Sequence, residues 1–305
     1  MKKLLCLLLV CVFMFSSCQG IKTEKNDSGK ITVAASFYPV YIFTLNLLDG
    51  IEQIQVECMA EQNIGCLHDY TLTSADVKLL NDSTVLVING AGMEGFVEDV
   101  FSNAESLKII DSSENIKLLC DEGHDHEEEH KHTHSHEENS HIWLSVENAK
   151  IQVQNIKNGL LESFPQYSEK ISDNYNSYIE RLDLLCEKRD DFSRQVKGSK
   201  VVSFHQAYEY LAEETGLIVS ATVESDEGGE PSAKQLAELS AQIEKEKTGA
   251  LFVEPQYQGS AAEILQRETN IKVYVLNPVI NGEKELTAYE DIMSANYETI
   301  LKAVK

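Results

Sequence analysis

The chain has 305 residues, 42% of them hydrophobic, enough for two ordinary domains with real cores, which excludes an intrinsically disordered protein. It carries 50 acidic against 26 basic side chains, a formal charge of -24. Such a surface repels phosphates, so nucleic acid is excluded as a partner, and it suits a cationic ligand.

Residues 1–17 have the parts of an export signal: Lys2 and Lys3, an apolar run from Leu4 to Phe15, then the small pair Ser16 and Ser17. The run is too short for a comfortable membrane span, which needs about 20 residues. Cys18 follows directly, and the segment resembles the lipobox of bacterial lipoproteins, with Phe15 departing from the Leu usual three positions before the cysteine. The expectation is cleavage before Cys18, acylation of its thiol, and an extracytoplasmic protein anchored to the bacterial cell membrane by residues 18–30, a polar flexible tether. Of the seven cysteines, Cys6 and Cys11 leave with the signal, and Cys58, Cys66, Cys120 and Cys186 remain beyond the lipidated one. An oxidising compartment allows three pairings among them; Cys58 with Cys66 is the most local and would staple the loop carrying His68, while buried thiols are the alternative.

From residue 31 short β-rich runs alternate with helical patterns, the signal for βαβ units around parallel sheets. Strands are expected at 31–36, 53–59, 84–89 and 107–110, and helices at 38–48, 74–80 and 95–102. The pattern then fades into an acidic, His-rich loop at 121–140. Residues 146–196 read as continuous helix, divided near Pro165 because proline ends one helix and can open another. The second piece, about 30 residues, would span about 45 Å. Tyr175, Tyr178, Ile179, Leu182 and Leu185 share one of its faces, a core stripe. The alternation resumes with strands at 200–204, 217–223, 250–253 and 272–276. The helices between and after them are 207–215, closed by Gly216, then 233–247 with Ser232 as N-cap, 260–268 and 287–303. The fold class is therefore α/β: two lobes with mainly parallel sheets, 31–145 and 198–305, bridged by linker helices at 146–197.

Seven of the nine histidines lie between Gly123 and Ala149. Alternation of His with Asp, Glu and Ser is a composition that binds metal; the bland alternative is a solvated acidic loop whose imidazoles merely titrate. His124, His126, His130, His132, His134 and His136 read as an accessory, low-affinity metal loop. His141, at the edge of ordered pattern, reads differently. In open α/β sheets ligands bind beyond the carboxyl ends of the strands. His205 directly follows one strand, His68 lies in the loop after another, and Asn277 follows a third. A lone histidine is more often structural than a ligand, but this joint placement points to one inter-lobe cleft.

At these residues the sequence resembles the metal-binding lipoproteins that serve zinc and manganese ABC importers, the ZnuA/TroA-like group. The matching stretches are ASFYP from Ala35, HDYTLTSADVKLL from His68, INGAGMEGF from Ile88, HIWLSVENA from His141, VVSFHQAYEYLAEETGL from Val201, GEPS from Gly229, FVEPQY from Phe252 and VYVLNP from Val273. They span essentially the whole mature chain in family order. The resemblance implies two lobes bridged by a long helix, with a metal in the cleft held by His68, His141 and His205. It implies an ABC permease and its ATPase as partners, with the protein a monomer. The family's fourth position, a carboxylate, is Asn277 here, so the fourth ligand is Asn277 itself, Glu254 or water. An internal His-rich loop is, within the group, associated with zinc importers.

Three imidazoles favour zinc, with manganese preferring oxygen-rich sites. The expected cargo is Zn2+, the alternative manganese or another divalent ion. Three histidines with an open position are also the layout of catalytic zinc. The chain has no GxSxG motif, and its HExxH match, HEEEH from His126, falls in the acidic His-rich loop rather than in a helical pattern, so a zinc hydrolase is the rival reading rather than the expected one, and a surface adhesin is a third.

Overall fold

The computed structural model describes residues 29–60, 70–95, 107–120, 138–223, 231–255, 257 and 260–305. The export signal, Cys18, the tether up to residue 28, Cys66, His68, most of the helix expected at 95–102 and the six histidines of the accessory loop lie outside them.

The first sheet is built from β1 (Ile31–Ala35), β2 (Ile54–Cys58), β3 (Val85–Ile88) and β4 (Lys108–Asp111) in the order β2-β1-β3-β4, every pair parallel. β1 is buried at all positions, as a central parallel strand covered on both faces must be. The second sheet comprises β7 (Lys200–Ser203), β8 (Ile218–Thr222), β9 (Ala250–Val253) and β10 (Lys272–Val275) in the order β10-β9-β7-β8, again parallel. A short antiparallel ribbon of β5 (Leu119–Cys120) and β6 (Glu138–Asn139), not foreseen from the sequence, frames the His-rich loop.

Local chemistry accounts for the helix bounds. α1 (Tyr38–Leu48) has Pro39 in its first turn, where a missing N–H leaves no intrahelical bond unmade. α2 (Ser74–Asp82) opens with a capping box between Thr73 and Asp76. α3 (Val146–Ser163) is capped by the Ser145 side chain, which accepts from Asn148 N at 3.1 Å. Pro165 then starts a 3-10 turn, Pro165–Tyr167, so the long helix α4 (Ser168–Val196) begins slightly later than the sequence pattern suggests. Its 29 residues span about 43 Å at 1.5 Å per residue.

α5 (Glu209–Thr215) starts two residues later than expected, because Phe204–Ala207 turn after β7, and ends at Gly216 with φ 71°, the left-handed conformation that glycine adopts without strain. α6 (Ala233–Glu246) opens with a capping box between Ser232 and Gln235; α7 (Ala261–Thr269) and α8 (Ala288–Val304) complete the fold.

The largest apolar core runs through both halves. Val33, Phe43 and Val85 of the first sheet and α1, Val153 and Leu160 of α3, Tyr178 and Leu182 of α4, Phe252 of the second sheet and Tyr289 of α8 belong to one cluster. The last helix returns to the first lobe, with Phe43 and Tyr289 ring centroids 5.1 Å apart, and the segment before it does the same: Asn46 Nδ2 donates to Leu286 O at 2.9 Å. A separate cluster packs Leu236, Ile243 and Leu265 of α6 and α7 on the outer face of the second sheet. Close approach of α3 to β4 depends on Gly159, where a Cβ would stand 2.6 Å from Ile110 Cγ1.

Candidate metal centre

The carboxyl ends of both sheets face a common pocket lined by Phe37, His141, Trp143, His205, Glu254, Pro278 and Ile280. Each arrives from a loop just beyond a strand or the β5–β6 ribbon: Phe37 after β1, His141 and Trp143 after β6, His205 after β7, Glu254 after β9, Pro278 and Ile280 after β10. The walls are apolar and the polar groups few, the usual composition of a site that binds a small ligand away from water.

His141 and His205 meet across this pocket, with Nε2 atoms 3.2 Å apart and ring centroids 5.1 Å apart at an interplanar angle of 75°. His141 is 6% exposed, and its ring lies 5.2 Å from that of Trp143. Trp143, the sole tryptophan of the chain, is fixed by its indole N–H, which donates to Pro278 O at 2.7 Å, and by its carbonyl, which accepts from Tyr289 OH at 2.8 Å. Phe37 packs edge-on against it at 4.9 Å. On the other side the Ser203 hydroxyl donates to the His205 carbonyl, closing the turn that carries that imidazole off β7.

The segment leading into His141 is tied to both lobes. Asn89 Nδ2 donates to Ser140 O at 2.9 Å, and Gln152, fully buried on α3, donates to Asn89 Oδ1 at 3.0 Å. Glu94 holds the ends of β1 and β3 together, accepting from Ser36 Oγ at 2.7 Å, Asn89 N at 2.7 Å and Gly90 N at 3.0 Å. Burial outweighs these three donated bonds and pushes the Glu94 carboxyl up to about 7. From the second lobe, Glu214 accepts from Val146 N at 3.0 Å and Glu147 N at 3.2 Å, so a carboxylate sits at the positive end of α3 just after the loop carrying His141, and it pairs with Arg189 of α4. Burial, reinforced by the charge of Glu254, holds the Tyr208 phenol well above its ordinary value; it remains a donor, to Leu276 O at 3.1 Å.

Of the residues expected at the site, His141, His205 and Glu254 therefore line one pocket, and Glu254 is 8% exposed. Asn277 is engaged elsewhere: its Oδ1 accepts from Val279 N at 2.8 Å and its Nδ2 donates to Asn281 O at 3.0 Å, and it is not among the pocket-lining residues. Among the described residues no three His, Cys, Asp or Glu side chains are gathered closely enough to hold an ion by themselves, the third expected histidine, His68, being outside them. The Cys58 thiol hydrogen-bonds to Ala60 O at 3.4 Å, and Cys186 is a free thiol that burial pushes up to about 12. The sequence reading passed over Asn139, whose carbonyl amide oxygen accepts from His141 N at 2.9 Å and from the His141 ring at 3.0 Å. An Asn two residues before a candidate ligand is a legible signal, since Asn side chains bond the backbone two positions on.

Two parallel-sheet lobes whose strand ends converge on one pocket, joined by a single long helix, define a two-lobed α/β binding protein with its site between the lobes. The chain belongs to the family described as zinc-uptake complex component A, periplasmic, whose model matches residues 33–303. The zinc-binding lipoprotein AdcA of Streptococcus pneumoniae serotype 4 is 30% identical over 311 residues, covering 100% of this chain and 61% of that protein. The high-affinity zinc uptake system protein ZnuA of Bacillus subtilis is 29% identical over 306 residues, covering 97% of this chain and 93% of that protein. The Zn(II)-bound ZnuA-like domain of Streptococcus pneumoniae AdcA superposes with a TM-score of 0.74 at 26% identity, over 90% of this chain and 99% of that domain. The chain spans about three fifths of the length of the AdcA relatives it matches.

Proposed function

We propose that this protein is the extracytoplasmic zinc-binding component of an ABC importer, which captures Zn2+ in the inter-lobe pocket and presents it to a membrane permease driven by a cytoplasmic ATPase. The observation that carries this is the approach of His141 Nε2 and His205 Nε2 to 3.2 Å in a pocket with apolar walls. Two nitrogens bound to one tetrahedral zinc at about 2.0–2.1 Å stand about 3.3 Å apart, so the imidazoles need little movement to share an ion. His68 is the third ligand in this reading. Glu254, on the pocket wall, or a water takes the fourth position in preference to Asn277, whose amide atoms are both engaged.

Neutral nitrogen donors favour zinc over manganese. The relatives' names support zinc binding and uptake rather than catalysis. Acylated Cys18 tethers the protein as a monomer at the membrane, and the histidines between His124 and His136 bind zinc weakly as an accessory loop. Because the largest core runs through both lobes and the long helix, release proceeds by small lobe tilts and loop movement rather than wide hinge opening.

The test is elemental analysis of the chain purified without added metal. It should carry one tightly held zinc per chain, and a variant with His68, His141 and His205 all replaced by Ala should carry none. Manganese displacing zinc at comparable concentrations would overturn the choice of metal. Zinc-dependent ester hydrolysis far above that of the triple variant would favour an enzyme instead.

A further inference from the structure

We infer that Asn139 is the positioning residue that makes His141 a ready ligand, fixing its proton on Nδ1 so that the bare Nε2 faces the pocket; the inference rests on the zinc-capture reading of that pocket. The argument runs through donor and acceptor identities. Asn139 is 8% exposed, so its amide must find partners within the protein. One end of the amide lies 3.3 Å from Gln206 O and 3.2 Å from Glu209 Oε2, both acceptors, so that end is the NH2. The other end is then Oδ1, as its second contact requires: it lies 2.9 Å from His141 N, which can only donate.

The same Oδ1 stands 3.0 Å from His141 Nδ1. Because a carbonyl oxygen can only accept, Nδ1 must carry a hydrogen. In a neutral imidazole the other nitrogen then holds a lone pair, and that nitrogen, Nε2, is the one 3.2 Å from His205 Nε2. The choice of tautomer is therefore dictated from the second lobe, through Gln206 and Glu209, which lie in the segment that also carries His205. One buried amide thus ties the His141 ring to the segment that carries His205. Tyr210 secures its backbone, donating to Asn139 O at 2.6 Å and accepting from Leu119 N at 3.0 Å.

Supporting partners of this kind typically change metal affinity 10–100-fold when removed. The experiment uses the metal-free full chain labelled with [15N]histidine, with the His141 ring signals assigned by their absence in His141→Gln. In the native chain Nδ1 is expected to be protonated and Nε2 bare. Asn139→Ala should shift the ring toward the Nε2–H form and weaken zinc binding about 10–100-fold while still unfolding cooperatively.

Asn139→Asp combined with Glu209→Gln supplies an acceptor toward His141 and a donor toward residue 139, and should recover the Nδ1–H form and most of the affinity. A native His141 protonated at Nε2 would overturn the inference. So would an Asn139→Ala chain with unchanged tautomer and zinc affinity, or a paired variant that melts like the native protein and recovers neither. A native chain with the expected tautomer that binds no zinc would instead overturn the capture reading and leave the positioning role standing.

Discussion

His141 Nε2 and His205 Nε2, 64 residues apart in the chain, stand 3.2 Å from each other where the strand ends of the two lobes converge. Trp143, the sole tryptophan, lies 5.2 Å from the first of them by ring centroid and is 1% exposed. Zinc entering between the imidazoles must perturb that indole. Titration of the metal-free chain should change intrinsic fluorescence in proportion to occupancy, and His141→Ala and His205→Ala should each weaken the transition at least 100-fold. A fluorescence response to zinc that survives both substitutions would place the ion elsewhere.

Stability should depend on pH through Glu94. Its native carboxyl is pushed up from 4.5 to about 7 by burial, so between those values the folded chain binds more protons than the unfolded one. Stability contributed by this group is then present at low pH and declines as pH rises from about 4.5 to about 7, by an amount on the order of 3 kcal/mol. Denaturant unfolding of the metal-free chain at a series of pH values should show this decline, and Glu94→Gln should flatten it. A Glu94→Gln profile parallel to the native one would refute the assignment.

Glu214 joins three elements, accepting from the first two amides of α3 and from the Arg189 guanidinium on α4. Side-chain exposure is 11% for Glu214 and 9% for Arg189. Glu214→Ala leaves a buried cation with only its exposed partners Glu147 and Asp190, and takes the carboxylate partner from the first two amides of α3, whose Ser145 cap remains. A loss of about 3 kcal/mol is expected. Thermal unfolding measures it directly; because α3 begins just after the His141 loop, zinc affinity should fall as well.

Gly159 allows α3 to lie against β4. A methyl group there would meet the γ and δ carbons of Ile110 at 2.6–2.9 Å, and Ile110, branched at Cβ and 5% exposed on its strand, has no room to retreat. Gly159→Ala should destabilise the protein by about 1–3 kcal/mol despite the better helix propensity of alanine. Ile110→Ala removes all three contacting carbons, so in a denaturant melt the double variant should lose less than the sum of the two single losses, and strictly additive losses would place the strain elsewhere.

Much of the architecture was legible before any coordinates. Strand and helix periods, Pro165 as a helix divider, Ser232 as a cap and Gly216 as a stop all depend on residues within a few positions of one another, and each stands where the local pattern put it. The β5–β6 ribbon was not legible, because two residues on each side carry no period, and their pairing spans the whole His-rich loop. The placement of His205 after β7 followed from strand order alone, since a parallel sheet sends all its carboxyl ends to one side.

What the sequence determined by itself is the alternation of elements, the two parallel sheets and the position of His205 just after β7, because these follow from local sterics, hydrophobic period and strand order. Only the tertiary structure decided that Glu254 rather than Asn277 faces the pocket, that Asn139 accepts from the His141 ring, and that α8 returns to pack on the first lobe. Those outcomes are hydrogen bonds and apolar contacts between segments distant in the chain. Their partners are chosen by which groups remain unsatisfied once the core has closed, and no local pattern records that choice.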